Sequence, residues 1–293
     1  MTAFKRQATQ FQTADGVRLK GTLFVPADPH TSVVIAGAVG VPETFYARFA
    51  EWLAGEGFAV LTFTYRDMHD TSPRAMRRSR ARLQDWAITD GQAARDALRA
   101  GFGNLPQWVI GHSLGGMMLS KQPRLAGVTR VITIASGLVH HREHPMPYRL
   151  LVWFFWFVAG PLTTRMLGYL PGKTIGLGSA LPSRVFWQWR KWCTVPGSFL
   201  EDTSLPASDW SRSGAPVRIV GICDDAICPP ELAHRLARAY QGGPVETVTI
   251  DPAQEGVSSL GHFGIFRAQG KAFWPKLIAR SSPTDLATPT AAE

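Results

Sequence analysis

Residues 111–116 read Gly-His-Ser-Leu-Gly-Gly and decide the fold of this chain. The apolar run 108–110 precedes them and the small or apolar run 117–119 follows, so a G-x-S-x-G motif lies between a predicted strand and a predicted helix. Such a turn strains the backbone at the serine, and residues without a Cβ are sterically required beside it. Ser113 is therefore the first candidate functional residue, although a glycine-rich turn after a buried strand has the same pattern.

A second short apolar run, 217–222, ends in two adjacent carboxylates, Asp224 and Asp225. A carboxylate at the end of a strand can accept the N–H of an imidazole and stabilise the cation that forms when the ring takes a proton. Either aspartate could do this. Either could instead cap the helix that residues 229–231 are predicted to begin.

The alternating run 245–250 predicts a third strand, and the loop after it reaches Leu-Gly-His-Phe-Gly at residues 260–264. Glycines on both sides of His262 allow its backbone to approach another loop closely. A single histidine is more often a surface or core residue, but His262 comes third in the order serine, aspartate, histidine. The three residue types predict a nucleophile, an orienting acid and a general base.

The order of these elements resembles the α/β-hydrolase superfamily over most of the chain. More narrowly, the chain is similar to a bacterial group of predicted serine hydrolases near the monoacylglycerol-lipase and proline-iminopeptidase branches. The stretches that carry this resemblance are 14–19, 45–50, 85–87, 168–172 and 261–266. The resemblance implies an α/β-hydrolase fold, a mostly parallel central sheet flanked by helices, with an inserted helical cap. It also favours Asp225 as the acid, because the spacing Asp-x-x-x-Pro to Pro229 resembles the family's acid loop.

The resemblance also implies a domain organisation. Residues 1–138 and 210–280 are expected to form the hydrolase core, residues 139–209 a helical cap or lid, and residues 281–293 a disordered tail. The cap holds half of the chain's ten tryptophans, which could line an acyl or aryl pocket or simply pack the cap onto the core. Its longest apolar run, 150–164, is expected to be interrupted at Gly160-Pro161 and too short to cross a bilayer.

In this superfamily one oxyanion-hole N–H comes from the loop after an early strand, here predicted at 33–36, and the other from the residue after the nucleophile. The corresponding positions are Ala38 or Val39, and Leu114. The usual His-Gly of this loop is replaced by Ala-Gly at 36–37, which leaves the first donor open between two residues.

Composition is that of a globular enzyme, with 45% hydrophobic and 18% charged residues and a net charge of +9 over 293 residues. Five arginines lie within residues 74–82, but no aromatic residues alternate with them, so we expect a solvated surface and no nucleic-acid partner. Stable membrane insertion is not expected, whereas peripheral contact with acidic lipid headgroups is compatible with these arginines. The N-terminus has no recognisable secretory leader, so the expected location is the cytoplasm. The oligomeric state stays open.

Two patterns could indicate a metal. H-x-x-E-H at 140–144 matches the zinc signature of inverted metallopeptidases, yet Pro145 and Pro147 disfavour the helix that this signature needs. Residues 67–70 contain two aspartates and a histidine, which more simply satisfy the loop's own backbone. The three cysteines lack the second pair that a zinc site needs. We therefore expect no metal and no organic cofactor.

These residues together predict a serine hydrolase of the carboxylesterase or lipase-like type, acting on a small-molecule ester with an apolar acyl or aryl group. An acyltransferase, or an amidase or peptidase, would use the same triad. A binding protein could keep the fold without the activity. The sequence does not specify the substrate or its acyl-chain length.

Overall fold

The computed structural model describes residues 3–174, 178–207 and 210–279, with the side chain of residue 211 left out. Its strands are β1 Phe4–Gln12, β2 Arg18–Pro26, β3 Thr31–Ala36, β4 Phe58–Thr64, β5 Gln107–His112, β6 Val128–Ile134, β7 Tyr169–Leu170, β8 Leu181–Pro182, β9 Val217–Ile222 and β10 Val245–Ile250. Its α-helices are α1 Ala47–Gly55, α2 Pro73–Arg78, α3 Gly91–Phe102, α4 Leu114–Met117, α5 Tyr148–Phe154, α6 Gly160–Leu167, α7 Ser183–Thr194, α8 Pro230–His234, α9 Gly261–Gly264 and α10 Trp274–Ile278. The predicted tail, 281–293, and the predicted end of the cap at 209 lie outside the described residues.

An eight-stranded sheet in the order β1-β2-β4-β3-β5-β6-β9-β10 organises the described residues. The six strands from β4 to β10 in this order run parallel, whereas β1 and β2 pair antiparallel at one edge. This is the mostly parallel sheet, flanked by helices, that the sequence predicts. The carboxyl ends of the parallel strands meet at one edge, where loops from different parts of the chain come together.

The parallel strands read as continuous apolar runs because helices cover both faces of the sheet. Val33 and Ile35 pack with Phe49 of α1 and Trp274 of α10, whereas Val34 belongs to the separate cluster on the opposite face. Side chains alternate between the two faces of a strand, so one short apolar strand contributes to two cores. The edge strand β1 is mostly exposed and correspondingly polar.

Between β6 and β9 the chain forms one continuous helix from Tyr148 to Leu167, made of α5, a π turn at Phe155–Ala159 and α6. The predicted interruption at Gly160-Pro161 is therefore wrong. The Gly160 N–H donates to the Phe155 carbonyl, five residues back, and the widened turn accommodates a proline ring that would otherwise collide with a backbone carbonyl. This helix, which we call the apolar helix, is by length and composition long enough to cross a membrane, contrary to the sequence-based expectation.

Tryptophans of this segment belong to the same hydrophobic cluster as one face of the sheet. Trp156 of the apolar helix stacks on Phe186 of α7 with ring centroids 6.1 Å apart. Trp192 is fully buried and donates its indole N–H to Asp202 at 2.8 Å. Trp153, by contrast, is half exposed. Trp156 and Trp192 therefore serve packing within this helical region.

Candidate active site

Ser113 occupies a strained turn between β5 and α4, with φ +53° and ψ −116°. A positive φ is uncommon for a residue with a side chain and persists only where the surrounding structure enforces it. A Cβ added at Gly111 would collide with the backbone of Gly116, and one at Gly115 with the backbone of Ala36. The glycines on both sides of the serine are therefore sterically required, as the motif predicts.

The helix behind Ser113 is shorter than the sequence analysis implies. It ends at Met117, and residues 119–121 form only a 3-10 turn. Gln122 precedes Pro123 and is extended, because a proline disfavours helical backbone in the residue before it.

The acid loop after β9 separates the roles of the two aspartates. Asp225 Oδ2 lies 2.7 Å from His262 Nδ1, and both side chains are buried. Asp225 Oδ1 accepts the backbone N–H groups of Ile227 and Cys228 at 2.8 and 2.9 Å. These bonds fix the carboxylate so that its other oxygen faces the imidazole.

The side chain of Asp224 binds the loop that carries His262, which we call the histidine loop, mainly through backbone N–H groups of that loop. Its carboxylate accepts the Ser259 hydroxyl at 2.6 Å and the N–H groups of Leu260 and Gly261 at 2.9 and 3.0 Å. Burial opposes ionisation of Asp224, but these hydrogen bonds outweigh it and lower its pKa below the usual range. Neither aspartate caps α8, whose N-cap residue is Pro229.

His262 is held at two points. Its Nδ1 faces Asp225, and its backbone carbonyl accepts a hydrogen bond from His112 Nε2 at 2.9 Å. Because His112 directly precedes Ser113, this bond fixes the histidine loop beside the nucleophile. The ring nitrogen that remains for Ser113 is Nε2. Within the described residues no hydrogen bond joins the Ser113 hydroxyl to His262, and such contacts are often long before substrate binds.

A buried chain of hydrogen bonds, which the sequence analysis missed, continues from His112 into the core. Tyr46 Oη lies 2.8 Å from His112 Nδ1 and accepts the Ala38 N–H at 2.8 Å. Because His112 Nε2 donates to a carbonyl, its Nδ1 must accept the tyrosine proton. Burial, and then the nearby His262, lower the pKa of His112 well below its usual value, so this ring is neutral. A tyrosine directly before the apolar start of α1 is the signal that could have revealed it.

This chain of hydrogen bonds affects which backbone N–H groups can act as oxyanion donors. The Ala38 N–H is already bonded to the Tyr46 hydroxyl. The Val39 N–H has no hydrogen bond among the described residues. Leu114 is the first residue of α4, and the first N–H groups of a helix have no partner within it.

The two weak metal patterns do not bring ligands together. Residues 140–144 lie in loops and turns, where Glu143 pairs with Arg235 and His144 Nδ1 contacts the Ala226 carbonyl at 2.9 Å. Within residues 67–70, Asp67 accepts a hydroxyl and Asp70 a backbone N–H, both from the chain that follows. Across the part of the chain that is described, no three His, Cys, Asp or Glu side chains are grouped as a metal would require.

A cavity of about 700 Å³ lies beside the acid loop and not over the nucleophile. Its walls come from the acid loop, α8 and the segment before the apolar helix, and include His144, Arg149, Asp224, Pro229 and Glu231. Asp225 also lines it, whereas neither Ser113 nor His262 does, so this cavity does not open onto the nucleophile.

The sequence matches a family model described as the alpha/beta hydrolase family over residues 30–273, a span that includes Ser113, Asp225 and His262. This chain belongs to the alpha/beta hydrolase family. The narrower resemblance to the monoacylglycerol-lipase and proline-iminopeptidase branches stays a prediction. Among curated proteins, none matches this α/β hydrolase at a significant level.

Solved structures of other α/β hydrolases share the fold. An esterase from Pyrococcus furiosus is similar at a TM-score of 0.58 and 14% identity, covering 94% of this chain and 89% of that one. The esterase domain of a Rhodothermus marinus protein gives a TM-score of 0.53 at 16% identity, covering 94% and 95%. A thermophilic esterase from Thermogutta terrifontis gives 0.54 at 13% identity, covering 92% and 96%. Identities this low show the fold alone.

Proposed function

We propose that this α/β hydrolase is a serine hydrolase that cleaves a carboxylic ester through an acyl-serine intermediate. The observation that carries the proposal is the buried Asp225–His262 hydrogen bond of 2.7 Å, on a histidine tethered beside the strained Ser113. The similar esterases show only that this fold can support ester hydrolysis.

In the first half-reaction, Ser113 Oγ attacks the ester carbonyl carbon while His262 Nε2 takes the hydroxyl proton. Asp225 stabilises the imidazolium that results. The negative charge on the carbonyl oxygen is received by the N–H groups of Leu114 and Val39, the latter preferred because the Ala38 N–H is engaged by Tyr46. The carbon–oxygen bond then breaks, His262 gives its proton to the departing alkoxide, and the acyl group stays on Ser113.

In the second half-reaction a water molecule attacks the acyl carbon and gives a proton to His262 Nε2. The tetrahedral intermediate collapses, the proton returns to Ser113 Oγ, and the carboxylic acid leaves. Residues 139–209 are proposed to act as the cap that shapes the acyl or aryl pocket above the serine. No step needs a metal or an organic cofactor.

A fluorophosphonate probe tests the nucleophile directly, because it labels an activated serine irrespective of the natural substrate. We expect labelling of the wild-type chain, none of Ser113→Ala, and hydrolysis of p-nitrophenyl esters with a preferred chain length. An unlabelled wild-type chain with native circular dichroism would contradict the proposal and indicate a binding protein with this fold. Faster transfer of the acyl group to an added alcohol or amine than to water would instead identify an acyltransferase.

A further inference from the structure

Exposed apolar side chains are concentrated on one element. In the described part of the chain, ten of the eleven large apolar residues that are substantially exposed lie between Met146 and Leu167, and Val195 is the eleventh. Met166 is 75% exposed and Leu162 56%. Monomeric proteins rarely leave a contiguous apolar surface of this kind without a binding role.

The apolar helix has two lengthwise stripes of residues on opposite faces. One is buried against the protein and consists of Val152, Trp156, Gly160 and Thr164. The other, which we call the exposed stripe, consists of Leu150, Phe154, Val158, Leu162 and Met166. The stripes are offset by two residues, about 200° around a helix, so they face opposite directions. Packing within the folded protein explains the side chains of the buried stripe, but it does not explain why the exposed stripe is apolar.

The segment that carries the exposed stripe is basic in sequence. Residues 144–200 contain no aspartate or glutamate, and their basic residues are Arg149, Arg165, Lys173, Arg184, Arg190 and Lys191. A second group, which we call the arginine cluster, consists of the exposed Arg74, Arg77, Arg78, Arg80 and Arg82. None of these five forms an ion pair with a described residue.

The arginine cluster is fixed beside the apolar helix. Arg77 Nε donates to the Leu167 carbonyl at 2.7 Å, and its guanidinium lies 5.5 Å from the centre of the Tyr169 ring. At the other end of the helix, Arg149 donates to the His144 carbonyl at 3.0 Å. The arginine cluster therefore places positive charge beside the C-terminal end of an exposed apolar surface, a combination found in helices that lie in the headgroup region of anionic bilayers.

We propose that the exposed stripe and the arginine cluster together bind the surface of an anionic phospholipid bilayer. The apolar helix lies in the plane of the interface and does not cross it. Its buried stripe packs on α7 through the Trp156–Phe186 contact and accepts a hydrogen bond from Arg190 of α7 at the Trp156 carbonyl. The C-terminal end of the helix accepts the hydrogen bond from Arg77. Crossing the bilayer would break these contacts. The half-exposed Trp153 suits the headgroup level, where amphipathic rings collect.

Vesicle flotation tests this surface, and the Ser113→Ala protein is used so that no lipid is hydrolysed. We expect it to float with vesicles of equal phosphatidylcholine and phosphatidylglycerol, and at least tenfold less with phosphatidylcholine alone or in 0.5 M salt. Phe154→Glu/Leu162→Glu should lower binding at least tenfold. The matched control Val195→Glu, an exposed apolar residue outside the helix, should bind as the parent does.

A second pair of substitutions tests the arginine cluster. Arg74→Glu/Arg78→Glu should weaken binding to anionic vesicles at least tenfold, given about fivefold for each cation at such a surface, and leave binding to neutral vesicles unchanged. A parent protein that does not float would overturn the proposal. So would resistance to carbonate extraction, which indicates a spanning helix. Sedimentation as a dimer that Phe154→Glu/Leu162→Glu dissociates would assign the surface to a second copy instead. None of these outcomes depends on esterase activity.

Discussion

Two regions of this molecule, the carboxyl edge of the sheet and the apolar helix, differ in how far contacts within the protein satisfy their side chains. At the sheet edge, the two aspartates and His112 have their hydrogen bonds made within the protein. On the apolar helix, nine large apolar side chains are left substantially exposed to solvent. Groups at the edge are fixed before any ligand arrives, which suits chemistry. The helix surface gains stability only from a partner, which suits binding.

The comparison predicts that substitutions at the sheet edge remove activity and leave the fold intact. Ser113→Ala should lower kcat for a p-nitrophenyl ester at least about a thousandfold, because the bond-forming group is lost. His262→Ala should do the same. The thermal midpoint of both variants, followed by circular dichroism, should stay near that of the parent. Full activity in either variant, at native stability, would remove the proposed reaction.

Substitutions of the two neighbouring aspartates test which of them acts as the triad acid. Asp225→Asn should lower kcat by at least about a hundredfold, because the amide no longer stabilises the imidazolium and can favour the wrong ring tautomer. Asp224→Asn keeps the size of the side chain but weakens the bonds that hold the histidine loop, so we expect less than about a tenfold loss. Steady-state kinetics of the two variants decide between them, and a larger loss in Asp224→Asn would exchange their roles.

The backbone of the Ser113 turn could be predicted from the sequence because its determinants are local. A serine between glycines needs a particular backbone, and the close backbone approach at Gly111 and Gly115 can be inferred from the motif alone. The split between Asp224 and Asp225 needs three dimensions, because their partners come from a loop that follows a further strand of the sheet.

Other features depend on contacts that no local pattern encodes. The hydrogen bond from the Ala38 N–H to Tyr46 joins the loop after β3 to the 3-10 turn before α1, so the choice between Ala38 and Val39 could not be made from the sequence. The apolar helix was predicted to break at Gly160-Pro161, because the rule for proline assumes α-helical geometry and a π turn relaxes it. Exposure of one helix face depends on what packs on it, which composition does not reveal.

Within the helical region, Asp202 offers a test of stability. It accepts the buried Trp192 N–H at 2.8 Å and also binds Lys191 and Ser204. Asp202→Ala should lower the free energy of unfolding by about 2 kcal/mol, because it leaves a buried donor unpaired. Urea denaturation measures this, with the exposed neighbour in Glu201→Ala as a control that should change stability by less than about 0.5 kcal/mol.

The pH dependence of that loss follows from the sign of the pKa shift. Burial opposes ionisation of Asp202, but hydrogen bonds from Lys191, Trp192 and Ser204 outweigh it and hold its pKa well below the usual range. A depressed folded-state pKa contributes stability above the unfolded value, about 3.9, which is lost as the pH falls towards the folded value. The difference between parent and Asp202→Ala should therefore be equal at pH 6 and pH 8 and shrink below about pH 4. A difference that grows on acidification would contradict this assignment.

The exposed stripe should give the smallest effect on the protein in solution. In Phe154→Glu/Leu162→Glu, two solvent-exposed side chains are replaced by charged ones, and no described packing contact of the buried stripe is lost. We expect its free energy of unfolding to stay within about 0.5 kcal/mol of the parent, and its kcat/KM for a short soluble ester within about twofold. Trp156→Ala, on the opposite face of the same helix, should by contrast cost about 3 kcal/mol or more through the cavity it leaves. Equal losses at the two faces would mean that the exposed stripe is covered by protein in solution, and the distinction between a face for folding and a face for binding would fail.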